Sequence, residues 1–196
     1  FGDARWVVLL DASLSMSATD VAPSRFDEAR REVERRWGGR GANGTVSLVS
    51  VGPSARLVTA DWSSGPGLRR ALAELQVSAG PADWSGAAAR AASLAADGAR
   101  VAVVTDGFGR GQALEALAAV GIAAEDVAVV SVGAGLVNVG VGGVKVEPRG
   151  SRPDQWTVSG RLVTSGFERG DVVRVVAAYR PQGTATFLPW GAEEVA

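Results

Sequence analysis

Short apolar runs alternate with segments of helical periodicity along the first two thirds of the chain, and this pattern constrains the fold most. The apolar runs lie at 5–10, 45–51, 100–105 and 127–132. Apolar residues recur at helical spacing in the segments 24–37, 66–76, 84–97 and 110–120. Strands that alternate with helices form βαβ units. We therefore expect a doubly wound α/β domain with a mostly parallel, Rossmann-like sheet.

Local signals add detail to this expectation. The run Val7–Leu10 is apolar at every position, which is typical of a strand buried on both faces. Ser24 is predicted to be the N-cap of the helix that follows it. Residues 55–60 follow a Gly-Pro turn and are predicted to fold back as an antiparallel edge strand.

After Gly133 the pattern changes to short strands separated by turn clusters. The predicted strands are 139–147, 155–163, 171–179 and 184–188. Trp156, Val158 and Leu162 alternate with polar residues, which predicts a strand with one buried face. We therefore divide the chain into an α/β domain at 1–135 and a small all-β, sandwich-like segment at 136–196. Because the chain begins almost directly at a buried strand, we expect it to be a piece of a longer protein.

Composition excludes several classes of function. Twenty basic and 21 acidic residues give a net charge of -1, so no long-range attraction to nucleic acid is expected. No stretch is long and apolar enough to predict a membrane span. The chain contains neither histidine nor cysteine, which excludes imidazole and thiol catalysis and the corresponding metal ligands. Any bound metal ion must therefore be held by oxygen atoms.

Two clusters of oxygen-bearing side chains follow predicted strands. Asp11, Ser13 and Ser15 form a D-x-S-x-S sequence after the first run, and Asp106 lies in VTDG after the third. In open α/β sheets, ligands bind at the carboxyl ends of the strands. Oxygen ligands suit Mg²⁺, with Mn²⁺ and Ca²⁺ as alternatives. Alternatively, the same residue types serve only to turn the chain after a strand.

The D-x-S-x-S sequence before a helix and the strand ending in VTDG resemble the von Willebrand factor A domain family over residues 4–133. The resemblance implies a metal-ion-dependent adhesion site in which Ser13 and Ser15 bind the metal directly. It further implies that Asp11 and Asp106 bind directly or through water. Residues 132–148 are similar, less specifically, to bacterial membrane-anchored members of this family, the aerotolerance BatA-like proteins. The implied parent is therefore membrane-associated, with this chain as its soluble domain.

The family's remaining ligand is a threonine in a loop before a central helix, and here that loop departs from the pattern. One alignment places Ala82, which has no donor atom, in the threonine position and keeps Asp83 beside it. Another alignment makes Ser85 the hydroxyl ligand. A carboxylate ligand such as Asp83 would hold the cation more tightly and weaken its attraction for an incoming carboxylate.

Three functions remain as hypotheses. The first is a non-enzymatic module that binds a divalent cation and, through it, a protein partner with an acidic side chain. The second is a scaffold in a bacterial membrane-associated complex, with a degenerate site and metal-independent binding. The third, a magnesium-dependent hydrolase, is disfavoured because histidine is absent and the single lysine, Lys145, lies outside the phosphate-facing loops. A chelator distinguishes the first two.

Overall fold

The chain divides into two compact units, Phe1–Leu136 and Val137–Ala196. The computed structural model describes residues 5–39, 45–59, 65–96, 98–133, 138–149, 152–165, 173–179 and 188–195.

The first unit is built on a five-stranded sheet. Its strands are β1 (Trp6–Asp11), β2 (Val46–Val51), β3 (Ala55–Leu57), β4 (Arg100–Asp106) and β5 (Val127–Val132). The strand order is β3-β2-β1-β4-β5. All neighbouring strands are parallel except β3, which runs antiparallel to β2. The predicted, mostly parallel sheet with an antiparallel edge strand is therefore confirmed.

Four α-helices connect these strands. They are α1 (Arg25–Val33), α2 (Gly65–Glu74), α3 (Trp84–Ala95) and α4 (Arg110–Ala119). A π-helical turn, Glu34–Gly38, continues α1. Ser24 caps α1 as predicted, because its side chain accepts a hydrogen bond from the Asp27 backbone N–H at 3.1 Å. The cap fixes Arg25 in the first turn of the helix.

The sheet is buried on both faces because its strands carry apolar residues at successive positions. On one face, Val8 and Leu10 of β1 pack with residues of α1 and α2. On the other face, Val7 and Leu9 pack with residues of α3 and α4. Burial on two faces explains the uninterrupted apolar run in β1.

The chain winds in opposite directions from the two central strands. From β1 it passes through α1 to β2 on one side, and from β4 it passes through α4 to β5 on the other. The carboxyl ends of β1 and β4 therefore flank a topological switch point, the place where open α/β sheets form a binding crevice.

The second unit contains two antiparallel strand pairs. The strands β6 (Asn138–Arg149) and β7 (Arg152–Ser165) pair together, as do β8 (Val173–Tyr179) and β9 (Leu188–Val195). The first two predicted strands are confirmed, and the third is confirmed over 173–179, since residues 171–172 lie outside the described residues. The fourth was predicted at 184–188, of which 184–187 lie outside the described residues, whereas β9 begins at Leu188.

The predicted burial of Val158 is wrong. Val158 is 44% exposed and pairs across the hairpin with Val146, which is 58% exposed. The alternation along β7 therefore indicated a strand correctly but did not indicate a covered face at this position. The side chains of Trp156 and Leu162 lie outside the described residues.

Among the described residues, no helix is long and apolar enough to cross a membrane.

Leu9→Ala tests the placement of β1 in the core. Leu9 is fully buried, so truncation should lower the free energy of unfolding by about 2–5 kcal/mol. Leu14→Ala is the matched control, because Leu14 is 57% exposed and should change stability by only about 0.5 kcal/mol. Urea unfolding followed by circular dichroism measures both. Equal losses in the two variants would contradict the assignment of β1 to the core.

Candidate metal site

The predicted carboxylates lie at the ends of two adjacent strands. Asp11 is the last residue of β1 and Asp106 is the last residue of β4. The parallel register pairs Leu10 with Val104, so the two strands end side by side. Both aspartates are only 1% exposed. The switch point between β1 and β4 therefore carries two buried acidic groups.

Asp11 is held by hydrogen bonds from the loop after β1 and from β4. Its Oδ1 accepts the backbone N–H of Ser13 at 2.9 Å, and its Oδ2 accepts the hydroxyl of Thr105 in β4. Burial raises the pKa of the Asp11 carboxyl, and the hydrogen bonds from Thr105 and Ser13 offset part of that rise. The ionised carboxylate is thus unfavourable where it stands, and a nearby cation would stabilise it.

The two serine hydroxyls converge because the chain turns directly after β1. A short 3₁₀ turn, Leu14–Ser17, begins after Ser13 and is anchored by the fully buried side chain of Met16. The Oγ atoms of Ser13 and Ser15 are 3.3 Å apart, while Leu14 between them is exposed. The turn therefore brings both hydroxyls together and directs the apolar side chain to solvent.

Asp106 has an unexpected partner. Its Oδ1 accepts the backbone N–H groups of Phe108 and Gly109 at 3.1 and 3.3 Å. Its Oδ2 accepts a hydrogen bond from Nη1 of Arg25 at 3.0 Å. Arg25 is 3% exposed, and its Nε also donates to Asp20 at 2.7 Å. A buried guanidinium therefore joins the candidate site.

Neither Arg25 nor Thr105 was predicted from the sequence as part of the site. A signal existed for Arg25: once Ser24 is taken as the N-cap, Arg25 belongs to the first turn of α1. That turn follows β1 and so lies at the carboxyl edge of the sheet. Thr105 gave no comparable signal, because its partner Asp11 is 94 residues away in sequence.

Gly109 allows the loop after β4 to approach the site closely. A Cβ atom built on Gly109 would lie 2.6 Å from the Thr105 hydroxyl, 3.1 Å from the Asp11 carboxylate and 3.0 Å from the Trp84 ring. These distances leave no room for a side chain, so glycine is required at this position.

The third loop, residues 75–83, lies beside the first and carries the predicted ligand Asp83 at its end. Its backbone is tied to the D-x-S-x-S loop, since Leu14 N–H donates to the Gly80 carbonyl at 2.9 Å. Asp83 caps α3: its Oδ1 accepts the Gly86 N–H at 2.9 Å and its Oδ2 accepts the Ala55 N–H at 3.4 Å. Ser85 is exposed in the first turn of α3.

The residues that converge fit a small divalent cation in their donor chemistry. Asp11, Ser13, Ser15 and Asp106 offer oxygen atoms only, as Mg²⁺ prefers, and water completes such a ligand set. Two neighbouring ligands of Mg²⁺, each about 2.1 Å from the ion, lie about 3 Å apart, close to the 3.3 Å between the serine hydroxyls. Within the described ranges, no three acidic side chains form a group that could hold a metal ion.

Comparison with known proteins identifies one family and several solved structures of similar fold. A family model described as the von Willebrand factor type A domain matches residues 6–108, just over half of the chain. An aerotolerance-related membrane protein from Bacteroides fragilis is similar in structure, with 22% identity and a TM-score of 0.54 over 82% of this chain and 80% of that one. BatB from Bacteroides thetaiotaomicron has 22% identity and a TM-score of 0.56 over 85% and 82%. A search of the curated proteins gives no significant match.

Asp83 variants test whether this carboxylate is a helix cap or a metal ligand. Asp83→Ala removes the cap of α3 and should lower the free energy of unfolding by about 1 kcal/mol. Asp83→Asn keeps a capping oxygen and should retain most of that stability. Mg²⁺ affinity, measured by isothermal titration, should be unchanged in both.

Ser85→Ala serves as the control at the start of the same helix and should change neither quantity, because Ser85 is exposed. Loss of Mg²⁺ binding in both Asp83 variants, without a loss of stability, would make Asp83 a ligand and contradict the capping role.

Proposed function

Since the chain belongs to the von Willebrand factor type A domain family, we propose that its α/β unit is a non-enzymatic module that binds a divalent cation and, through it, a protein partner. The ligands are Asp11, Ser13, Ser15 and Asp106, and Mg²⁺ is the first candidate, with Mn²⁺ and Ca²⁺ as alternatives. One observation carries the proposal: two buried carboxylates and two hydroxyls 3.3 Å apart converge at the switch point of the sheet.

The ligand set suits a site that attracts an acidic group. When bound, the cation supplies a positive centre for a carboxylate of the partner. Ser13 and Ser15 are neutral ligands, so only the Asp11 and Asp106 carboxylates offset the cation's charge, and Asp106 is itself paired with Arg25. Ala82 adds no charge, and the Asp83 carboxylate is engaged by backbone N–H groups of α3 and β3.

Exposed apolar side chains on the same loops favour a protein as the partner. Leu14 and Phe108 are 57% and 43% exposed, one on the D-x-S-x-S loop and one just after Asp106. Apolar groups that border a polar centre are typical of protein–protein interfaces. The partner therefore presents an acidic side chain next to apolar surface.

We further propose that the chain is part of a bacterial membrane-associated protein. Residues 1–135 are its interaction domain and residues 136–196 are a β-rich appendage. Support comes from the BatA-like sequence of residues 132–148. The match to an aerotolerance-related membrane protein also covers 82% of the chain, more than the α/β unit alone.

A second candidate is a scaffold that binds its partner without metal. The observation that favours it is the third loop, where Ala82 offers no donor and Asp83 caps a helix. Partner binding by such a scaffold would survive a chelator and would depend on surface residues alone.

Titration of Mg²⁺ into metal-stripped protein separates the candidates. We expect saturable binding by the wild type and none by Asp11→Asn, because the amide replaces a charged ligand. Asp126→Asn is the matched control. Asp126 is exposed and lies just before β5, at the amino end of that strand and away from the candidate site at the carboxyl ends. Absence of binding by the wild type at millimolar Mg²⁺ would leave the scaffold as the function.

The metal-free stability of Asp11→Asn provides an internal check. The pKa of the Asp11 carboxyl is higher in the folded protein than in the unfolded chain because the group is buried, so its contribution to stability falls as pH rises past the unfolded-chain pKa. Asparagine removes this cost, and the urea midpoint at pH 7 should be no lower than that of the wild type. A collapse of stability would mean that loss of metal binding reflects unfolding.

Partner binding and turnover complete the test. A partner captured by immobilised wild type should be released by EDTA and should not bind Asp11→Asn. Phosphate-ester hydrolysis by the wild type that is lost in Asp11→Asn would contradict the assignment as a non-enzymatic module.

A further inference from the structure

Arg25 is the component of the site that neither the motif nor the family match assigns. Its guanidinium, 3% exposed, bridges Asp20 at 2.7 Å and Asp106 at 3.0 Å. The Asp106 side chain is 2% exposed, so the pair with Arg25 is buried, whereas Asp20 is 29% exposed. A buried ion pair is sensitive to removal of either partner, because the remaining charge is left without compensation.

The fold encloses Arg25 in a fixed position. The Ser24 cap places it in the first turn of α1, beside the carboxyl ends of the central strands. Gly133, just after β5, lies against the ion pair of Arg25 with Asp20. A Cβ atom at Gly133 would be 3.2 Å from both Arg25 Nε and Asp20 Oδ2. Gly133 also has a positive φ of 108°, which disfavours any other residue. The two aspartates and the backbone at Gly133 therefore hold the guanidinium in one position.

Asp106 and Asp11 differ in the groups that compensate their carboxylates. A carboxylate has about four lone-pair sites. Asp106 uses three of them, for two backbone N–H groups and for Arg25. Asp11 accepts hydrogen bonds from Ser13 and Thr105. The two carboxylates differ in charge compensation: Asp106 pairs with the Arg25 guanidinium, whereas Asp11 forms no ion pair with a described basic side chain.

We propose that Arg25 is an internal cation that competes with the divalent metal for Asp106 and thereby sets the metal affinity of the site. In the metal-free protein the guanidinium supplies the positive charge that Asp106 needs. A metal ion held by Asp106 would be repelled by the same buried guanidinium, which donates to the Asp106 carboxylate at 3.0 Å. Arg25 is a positioning residue that tunes the site rather than a ligand, and this inference rests on the proposed metal-binding function.

Mg²⁺ titration of two Arg25 variants tests the inference. Arg25→Gln removes the charge and should raise Mg²⁺ affinity at least about tenfold. Arg25→Lys keeps the charge but loses the planar fork that contacts both aspartates, so its affinity should lie between those of Arg25→Gln and the wild type. Arg30→Gln is the matched control on the same helix, because Arg30 forms a partly exposed ion pair with Asp27. The Mg²⁺ affinity of Arg30→Gln should equal that of the wild type.

Thermal unfolding gives a second readout. In EDTA, Arg25→Gln should melt below the wild type, because Asp106 is left as an unpaired buried charge. Added Mg²⁺ should raise its melting temperature by more than it raises that of the wild type. If Arg25→Gln does not fold, Arg25→Lys decides: a higher affinity than that of the wild type supports the inference, and an unchanged affinity overturns it.

The outcomes separate this inference from the proposed function. Equal Mg²⁺ affinity in the wild type and both Arg25 variants overturns the role of Arg25 and leaves the metal site in place. Binding by Arg25→Gln but not by the wild type supports the role of Arg25 and removes metal dependence from the natural protein. Absence of binding in all three overturns both.

Discussion

The parallel pairing of β1 with β2 on one side and β4 on the other is the interaction on which the rest of this structure depends. It makes β1 the central strand, so its side chains must be apolar on both faces. It also makes the chain wind away from β1 and β4 in opposite directions. The crevice between their carboxyl ends follows from that winding, and Asp11 and Asp106 occupy it because each is the last residue of its strand.

Two carboxylates at the end of a hydrophobic sheet require compensation, and the protein supplies it from four directions. Backbone N–H groups of the two loops, the Thr105 hydroxyl and the Arg25 guanidinium together satisfy Asp11 and Asp106. The site is therefore a hydrogen-bonded unit in its own right. A protein with such a site can keep its fold when metal is scarce, since Arg25 compensates the charge of Asp106 and hydrogen bonds offset part of the cost of burying Asp11.

Periodicity and strand ends were sufficient to predict most of the fold and part of the site. The sheet, the four helices and the position of Asp11 and Asp106 follow from local patterns. The role of Arg25 does not, because its partner Asp106 is 81 residues away and only the folded chain brings them together. In the second unit, β9 runs through Pro189 and Gly191, which usually argue against a strand, so local patterns did not predict its extent. A register shift opposite Ala177 and Ala178 accommodates them.

The third loop and α3 also act on the edge of the sheet. Besides Asp83, which accepts the Ala55 N–H, Arg90 donates to the Ala55 carbonyl at 3.0 Å. Both backbone groups of this residue in β3 are therefore covered by side chains of one helix and its cap. An open edge strand invites strands of other chains to add to it, and β3 is only three residues long. Asp83 and Arg90 thus cover one residue of an edge to which strands of other chains could otherwise add.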